Sequence, residues 1–135
     1  MDINTQTAQT FPAKLVDNRG SLINYLRLSI SGRCNLRCYY CRSEEEVPFV
    51  PHEEILSFED LVYLAGIFSA LGVTKVRVTG GEPFSRRNSR SFLRRLKGPT
   101  GLDHLHITKN GVKTACYLDE LAGLGTLSNP VADAR

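Results

Sequence analysis

Three of the chain's four cysteines, Cys34, Cys38 and Cys41, fall within eight residues at C-x3-C-x2-C spacing. They sit in the stretch R-C-N-L-R-C-Y-Y-C-R, residues 33–42, directly after a predicted strand. Any fold for this chain has to present that loop and support what it holds. Thiolate is a soft ligand and suits iron–sulfur clusters, zinc and copper(I). A structural zinc site usually takes four ligands, as two C-x2-C pairs or as one pair with paired histidines. Only one such pair is present, Cys38 and Cys41, and Cys116 lies far away in a predicted helix. A cubane 4Fe–4S cluster normally takes one cysteine per iron, so three cysteines leave one iron open to a small molecule. A disulfide framework is disfavoured for three cysteines in one short loop without a secretion signal.

At 135 residues the chain suits one domain. Hydrophobic residues at 41% and charged residues at 23% place it with ordinary globular proteins rather than disordered or membrane-spanning chains. A net charge of +3 is too mild to demand a nucleic-acid partner and is compatible with an anionic small substrate. No apolar run approaches the roughly 20 residues of a membrane span. The first ten residues, M-D-I-N-T-Q-T-A-Q-T, lack both an apolar secretory core and an Arg-rich transit pattern. A cytoplasmic location fits this and the free thiols.

Residues 1–21 are polar and aperiodic, and they read as a flexible lead-in with a turn at Asn18-Arg19-Gly20. Residues 24–30 (N-Y-L-R-L-S-I) predict a first strand with Leu26, Leu28 and Ile30 on one face and Tyr25, Arg27 and Ser29 on the other. The cysteine loop comes next, then a solvated acidic run Glu44-Glu45-Glu46 and two breakers, Pro48 and Pro51. Ser57 reads as an N-cap with acidic residues in the first turn. Leu61, Leu64, Ala65, Phe68 and Leu71 recur at helical spacing, and Gly72 ends that helix. Residues 75–79 (K-V-R-V-T) predict a second strand that runs into Gly80-Gly81-Glu82-Pro83. Glycines at a strand end let backbone approach a ligand closely.

Residues 86–97 carry Arg86, Arg87, Arg90, Arg94, Arg95 and Lys97, with Phe92, Leu93 and Leu96 on one side of a short helix. Arg90, Arg94, Arg95 and Lys97 read as a solvated basic face, since nucleic-acid binding needs more charge and more aromatic partners. Gly98-Pro99-Thr100-Gly101 is a turn. Residues 102–108 (L-D-H-L-H-I-T) predict a third strand, with His104 and His106 on one face but no evident third metal ligand. Residues 115–124 predict a helix with Leu118, Leu121 and Ala122 inward, and Cys116 packed as a small apolar residue. Residues 125–135 fit no regular element.

The alternation strand, helix, strand, helix, strand, helix predicts an α/β fold with a parallel sheet and right-handed crossovers. In parallel α/β barrels, sites gather at the C-terminal strand ends. Here the cysteine loop, Gly-Gly-Glu-Pro and Thr108 each stand at such an end.

The cysteine loop, with Tyr40 before its last cysteine, and the downstream Gly-Gly-Glu-Pro resemble the radical S-adenosylmethionine (SAM) superfamily. Within it, the chain is most similar to the GTP 3′,8-cyclase family of molybdenum cofactor biosynthesis. The supporting strings are Leu26-Arg27-Leu28-Ser29, the cysteine loop, residues 75–83, Arg86-Arg87, and Thr108 before Asn110-Gly111. They span residues 22–124. The resemblance implies an incomplete (β/α) radical-SAM barrel of about three βα units. It implies a 4Fe–4S cluster on Cys34, Cys38 and Cys41, SAM contacts at Tyr40 and Gly81, and GTP contacts at Arg27, Arg77 and Thr108. No side chain is singled out as catalytic acid, base or nucleophile. Guanidinium forks suit phosphate oxygens, which fits the two arginines. The implied reaction is a lyase reaction: an adenosyl radical from SAM takes hydrogen from the ribose of GTP, and the ring carbon bonds to C8 of guanine. An electron donor is the implied partner, and an uncovered sheet edge favours self-association.

Three positions depart from the family pattern: Gly32 stands where an acidic residue is common, Lys109 where a Thr is common, and Asn88 where an Asp is common. The resemblance also implies further βα units and a C-terminal domain with a second three-cysteine cluster, which are expected to be missing from this form. The expectation is an incomplete form of the cyclase. The alternatives are a non-catalytic Fe–S or zinc-binding fragment, and a radical SAM enzyme with another substrate.

Overall fold

Period-two alternation in three short segments builds the sheet. The computed structural model describes residues 14–38, 50–98, 101–125 and 127–130. Tyr40, Cys41, the acidic run Glu44–Glu46, Pro48, Pro99, Thr100, Thr126 and residues 131–135 lie outside the described residues. Strand β1 is Tyr25–Ser29, helix α1 Phe58–Ala70, β2 Lys75–Thr79, α2 Ser89–Lys97, β3 His104–Lys109, α3 Leu118–Gly123 and β4 Leu127–Pro130. All strand pairs are parallel and the order is β1-β2-β3-β4. Each crossover therefore steps in the same direction, as in a singly wound barrel; a doubly wound sheet would reverse its order.

Strand β4 replaces the expected irregular tail at residues 127–130. Leu127-Ser128-Asn129-Pro130 carries residue types depleted in strands. Pairing with the open edge of β3 sets its conformation, and Pro130 sits at the strand end, where a missing N–H is tolerated.

The alternation assigns the two sheet faces as expected. Leu28, Ile30, Val76, Val78, Leu105 and Ile107 are buried against Leu61 and Ala65 of α1, Phe92, Leu93 and Leu96 of α2, and Leu121 of α3. Each large aliphatic side chain buried this way contributes about 1.5–3 kcal/mol. Helix α1 starts in a capping box. The Asp60 N–H donates to Ser57 Oγ at 3.1 Å and the Ser57 N–H to Asp60 Oδ2 at 3.3 Å. It stops at Gly72, whose φ of 97° suits a residue without Cβ.

Residues 14–21 of the expected flexible lead-in pack against the fold. The Leu15 N–H donates to Leu71 O at 2.9 Å, Val16 bridges Leu22 antiparallel, and the Asp17 carboxylate takes the N–H groups of Arg19 and Ser21 at 2.8 Å. A tight hairpin thus lies against the end of α1.

The short helix expected within residues 86–97 is α2, which begins at Ser89 after a 3-10 turn at Pro83–Ser85 and a left-handed Asn88 with φ of 64°. Asn tolerates that conformation. The basic residues of α2 are largely exposed, as expected, and also tie helices together. Arg94 pairs with Glu120, and Arg95 pairs with Glu59 at 2.6 Å. Arg90 bonds Cys116 O and lies 4.4 Å from the Tyr117 ring centroid.

The third helix differs from expectation. Cys116, Leu118 and Ala122 are exposed and only Leu121 is buried. Residues Thr114–Tyr117 form a 3-10 turn. Its three residues per turn rotate the helix downstream out of the 3.6-residue register read from Ala115.

Candidate cluster and cosubstrate site

Because the strands are parallel, the segments after β1, β2 and β3 emerge on one rim, and there they lock together. Gly80 and Gly81 lie against the start of the cysteine loop. The Gly81 N–H donates to Ser31 O at 2.6 Å and the Glu82 N–H to Arg33 O at 2.8 Å. A Cβ on Gly80 would stand 2.4 Å from Ser31 O, and one on Gly81 would stand 2.2 Å from Arg33 O. Gly80 also has a φ of 143°. Two glycines are thus required for the β2 loop to support the cysteine loop, since any side chain would push the two backbones apart.

The next residue, Glu82, is fully buried. A buried carboxylate must be hydrogen-bonded to be tolerated. Glu82 Oε1 accepts the Phe84 N–H at 3.2 Å, and Oε2 accepts the Asn110 N–H at 2.6 Å. The carboxylate therefore joins the loop after β2 to the loop after β3. Asn110 in turn reaches the loop after β1: its Nδ2 lies 3.5 Å from Cys34 Sγ and 2.7 Å from Asn35 Oδ1.

Cys34 and Cys38 are half-buried and unbridged. The Cys34 sulfur also accepts the Leu36 N–H at 3.5 Å. A cavity of about 310 Å³ opens beside it, lined by Arg33, Cys34, Asn35, Ser85 and Arg86 among others. Arg86 forms part of the wall. Its guanidinium donates to Ile30 O and Leu56 O, both at 2.8 Å, and lies 4.0 Å from the Phe58 ring centroid. Burial lowers its pKa from the ordinary value, opposed by Glu59, and it remains a cation.

A second group lies on the open face of the sheet. Arg27 stands opposite Arg77, and Arg77 opposite His106. Arg77 Nη1 donates to Thr108 Oγ1 at 3.1 Å and Nε donates to the Tyr25 hydroxyl. Among the described residues, the ion pairs are Arg94–Glu120 and Arg95–Glu59, both away from this face. Among the described residues, no carboxylate forms an ion pair with Arg27 or Arg77 in this row. Partial burial, then the positive charge of Arg77, of His104 and of Lys75, holds His106 below its ordinary pKa. The His104 and His106 ring centroids are 6.3 Å apart, and among the described residues no third ligating side chain joins them.

The sequence-derived candidates thus fall into two places. Cys34, Cys38 and Gly81 belong to the rim; Arg27, Arg77 and Thr108 belong to the open face. Cys41 and Tyr40 lie outside the described residues. Sequence reasoning did not single out Glu82 alone, Asn110, Arg86 or Tyr25. The available signal was an acidic residue directly after two strand-end glycines.

The half-buried Cys34 sulfur accepts two N–H donors, the kind of support that orients a metal-ligating side chain. Cys34 and Cys38, the two loop cysteines among the described residues, are soft donors. A profile of the radical SAM superfamily matches residues 28–131. The chain belongs to the radical SAM superfamily. Radical SAM proteins carry a 4Fe–4S cluster and use SAM, and Cys34 and Cys38 stand on this rim. The α/β architecture with parallel strands is that of a partial radical SAM barrel. The chain is similar to proteins named GTP 3′,8-cyclase. It is 46% identical to one from Lactiplantibacillus plantarum over 118 residues, 85% of this chain and 35% of that protein. It is 48% identical to one from Geobacter sulfurreducens over 99 residues, covering 73% and 30%. It is 49% identical to one from Ectopseudomonas mendocina over 102 residues, covering 76% and 30%. The chain spans about a third of the length of the curated relatives it matches. No helix among the described residues is long and apolar enough to cross a membrane.

Proposed function

We propose that this chain is the radical-SAM part of a GTP 3′,8-cyclase. Such an enzyme converts GTP to (8S)-3′,8-cyclo-7,8-dihydroguanosine 5′-triphosphate in molybdenum cofactor biosynthesis. Cys34, Cys38 and Cys41 hold the cluster, and Tyr40 and Gly81 contact SAM. The chemistry supplied at a bound cluster is one-electron reduction of SAM, with the electron coming from an external donor. Arg27, Arg77 and Thr108 contact GTP. The observation that carries this reading is the Arg77–Thr108 hydrogen bond of 3.1 Å beside Arg27, on a face without a described counter-charge. Two of the three expected nucleotide contacts come from different strands and still meet. The row attracts a polyanion because its charges repel one another until an anion separates them. Thr108, held by Arg77, orients that guanidinium. Gly81 keeps the cysteine loop seated on the rim, within reach of the same strand ends.

The test is anaerobic reconstitution with iron and sulfide, then EPR of the reduced chain with and without SAM, and nucleotide-binding titration. About four irons per chain are expected. The EPR signal should change on adding SAM, and GTP should bind more weakly to Arg77→Ala. One zinc per chain and no EPR signal would instead establish a non-catalytic metal-binding protein. A SAM-responsive cluster with no GTP binding would indicate another substrate.

A further inference from the structure

We propose that Asn110 is a positioning residue for the cluster. Its side-chain amide donates to Sγ of Cys34, holds that ligand in place and raises the reduction potential of the centre it binds. The inference rests on Cys34 being a cluster ligand and adds a group outside the cysteine loop that acts on it.

The orientation of the Asn110 amide is set by three partners from different parts of the chain. Its Oδ1 accepts the Val112 N–H at 3.1 Å in a local side-chain turn. That turns Nδ2 the other way, toward Cys34 Sγ at 3.5 Å and Asn35 Oδ1 at 2.7 Å. The opposite assignment would set Oδ1 against the oxygen of Asn35 and the sulfur, and Nδ2 against an N–H, so the donor and acceptor pattern admits one rotamer. The backbone of Asn110 is fixed separately, by its N–H on the fully buried Glu82 carboxylate at 2.6 Å. Asn110 is thus the point at which the loops after β1, β2 and β3 meet.

A hydrogen bond to a ligating sulfur withdraws electron density from it and favours the more reduced state. The Leu36 N–H donates to the same sulfur at 3.5 Å, but it belongs to the cysteine loop and moves with it. Asn110 is the donor that ties this sulfur to the rigid sheet.

The test compares the full chain with Asn110→Ala and Asn110→Ser after anaerobic reconstitution. Serine keeps an oxygen for the Val112 N–H but is too short to reach the sulfur. Redox titration monitored by EPR reads the midpoint of the cluster. In both variants the ratio of reduced to oxidised cluster at fixed potential should fall about tenfold, a downward shift of 59 mV for a one-electron couple. Loss of iron from both variants with an unchanged unfolding transition of the apo chain supports the holding role equally. Unchanged midpoints in variants that keep a full cluster overturn this inference and leave the cluster assignment standing. A wild-type chain that takes up no cluster overturns both. Loss of a cooperative unfolding transition in both variants assigns Asn110 to the fold and also overturns the proposal.

Discussion

The two faces of the four-stranded sheet share one backbone and do opposite work. The face toward the helices carries Leu28, Val76, Val78, Leu105 and Ile107, all buried. The other carries Tyr25, Arg27, Lys75, Arg77, His104, His106 and Thr108, all exposed or half-buried. Parallel sheets in soluble folds usually bury apolar residues on both faces. A row of cations on one of them is costly unless it meets solvent or an anion. The difference shows where this molecule places its stability and where it places its charge, and that separation can be tested residue by residue.

The largest effects belong on the packed side and the rim. Ile107→Ala should cost about 2–5 kcal/mol by chemical denaturation, with nucleotide affinity affected only through loss of folded chain. Gly81→Ala should lose both stability and iron retention, because the added methyl meets Arg33 O at 2.2 Å. An equally stable Gly81→Ala chain would show that the two loops are not locked as described.

On the open face the ranking should reverse. Arg77→Ala should change stability far less than Ile107→Ala, by about 1 kcal/mol, since it removes hydrogen bonds of a half-buried side chain rather than core packing. It should also weaken nucleotide binding about tenfold or more, the equivalent of about 1.4 kcal/mol. A large loss of stability here would mean that the Arg77–Thr108 bond serves the fold.

His106 gives a smaller, pH-dependent effect. Its folded pKa lies below the ordinary 6.5 because of burial first and the neighbouring Arg77, His104 and Lys75 second. The unfolded chain therefore takes up the proton first as pH falls. Stability is unaffected by this group well above 6.5, declines as pH drops from 6.5 toward the lower folded value, and is constant below that. His106→Asn should gain stability relative to wild type over that window and match it at pH 8, as read from denaturation midpoints. A bound polyanion should raise the His106 pKa in an NMR titration, and Arg77→Ala should raise it in the free protein.

The smallest effect is expected from the helix surface. Arg95→Ala breaks an exposed pair with Glu59 and should cost at most about 0.5 kcal/mol.

Much of this was legible in the chain alone. Period two placed the inner and outer faces of β1, β2 and β3, because alternation is a property of each strand by itself. Ser57 and Asp60 marked the start of α1, because a cap is completed within four residues. The reading failed where local and tertiary preferences diverged. The 3-10 turn at residues 114–117 moved Cys116 and Leu118 to the surface, and an open strand edge made β4 from Leu-Ser-Asn-Pro.

The sequence by itself determined the cysteine spacing, the glycine pair and the residues that alternate on each strand, since these depend on neighbours a few positions apart. The tertiary structure alone decided that Glu82 would accept a hydrogen bond from the Asn110 N–H 28 residues downstream, and that Asn110 would reach back 76 residues to Cys34. Parallel pairing put three strand ends on one rim. Only there does a buried carboxylate meet the backbone N–H that makes its burial tolerable.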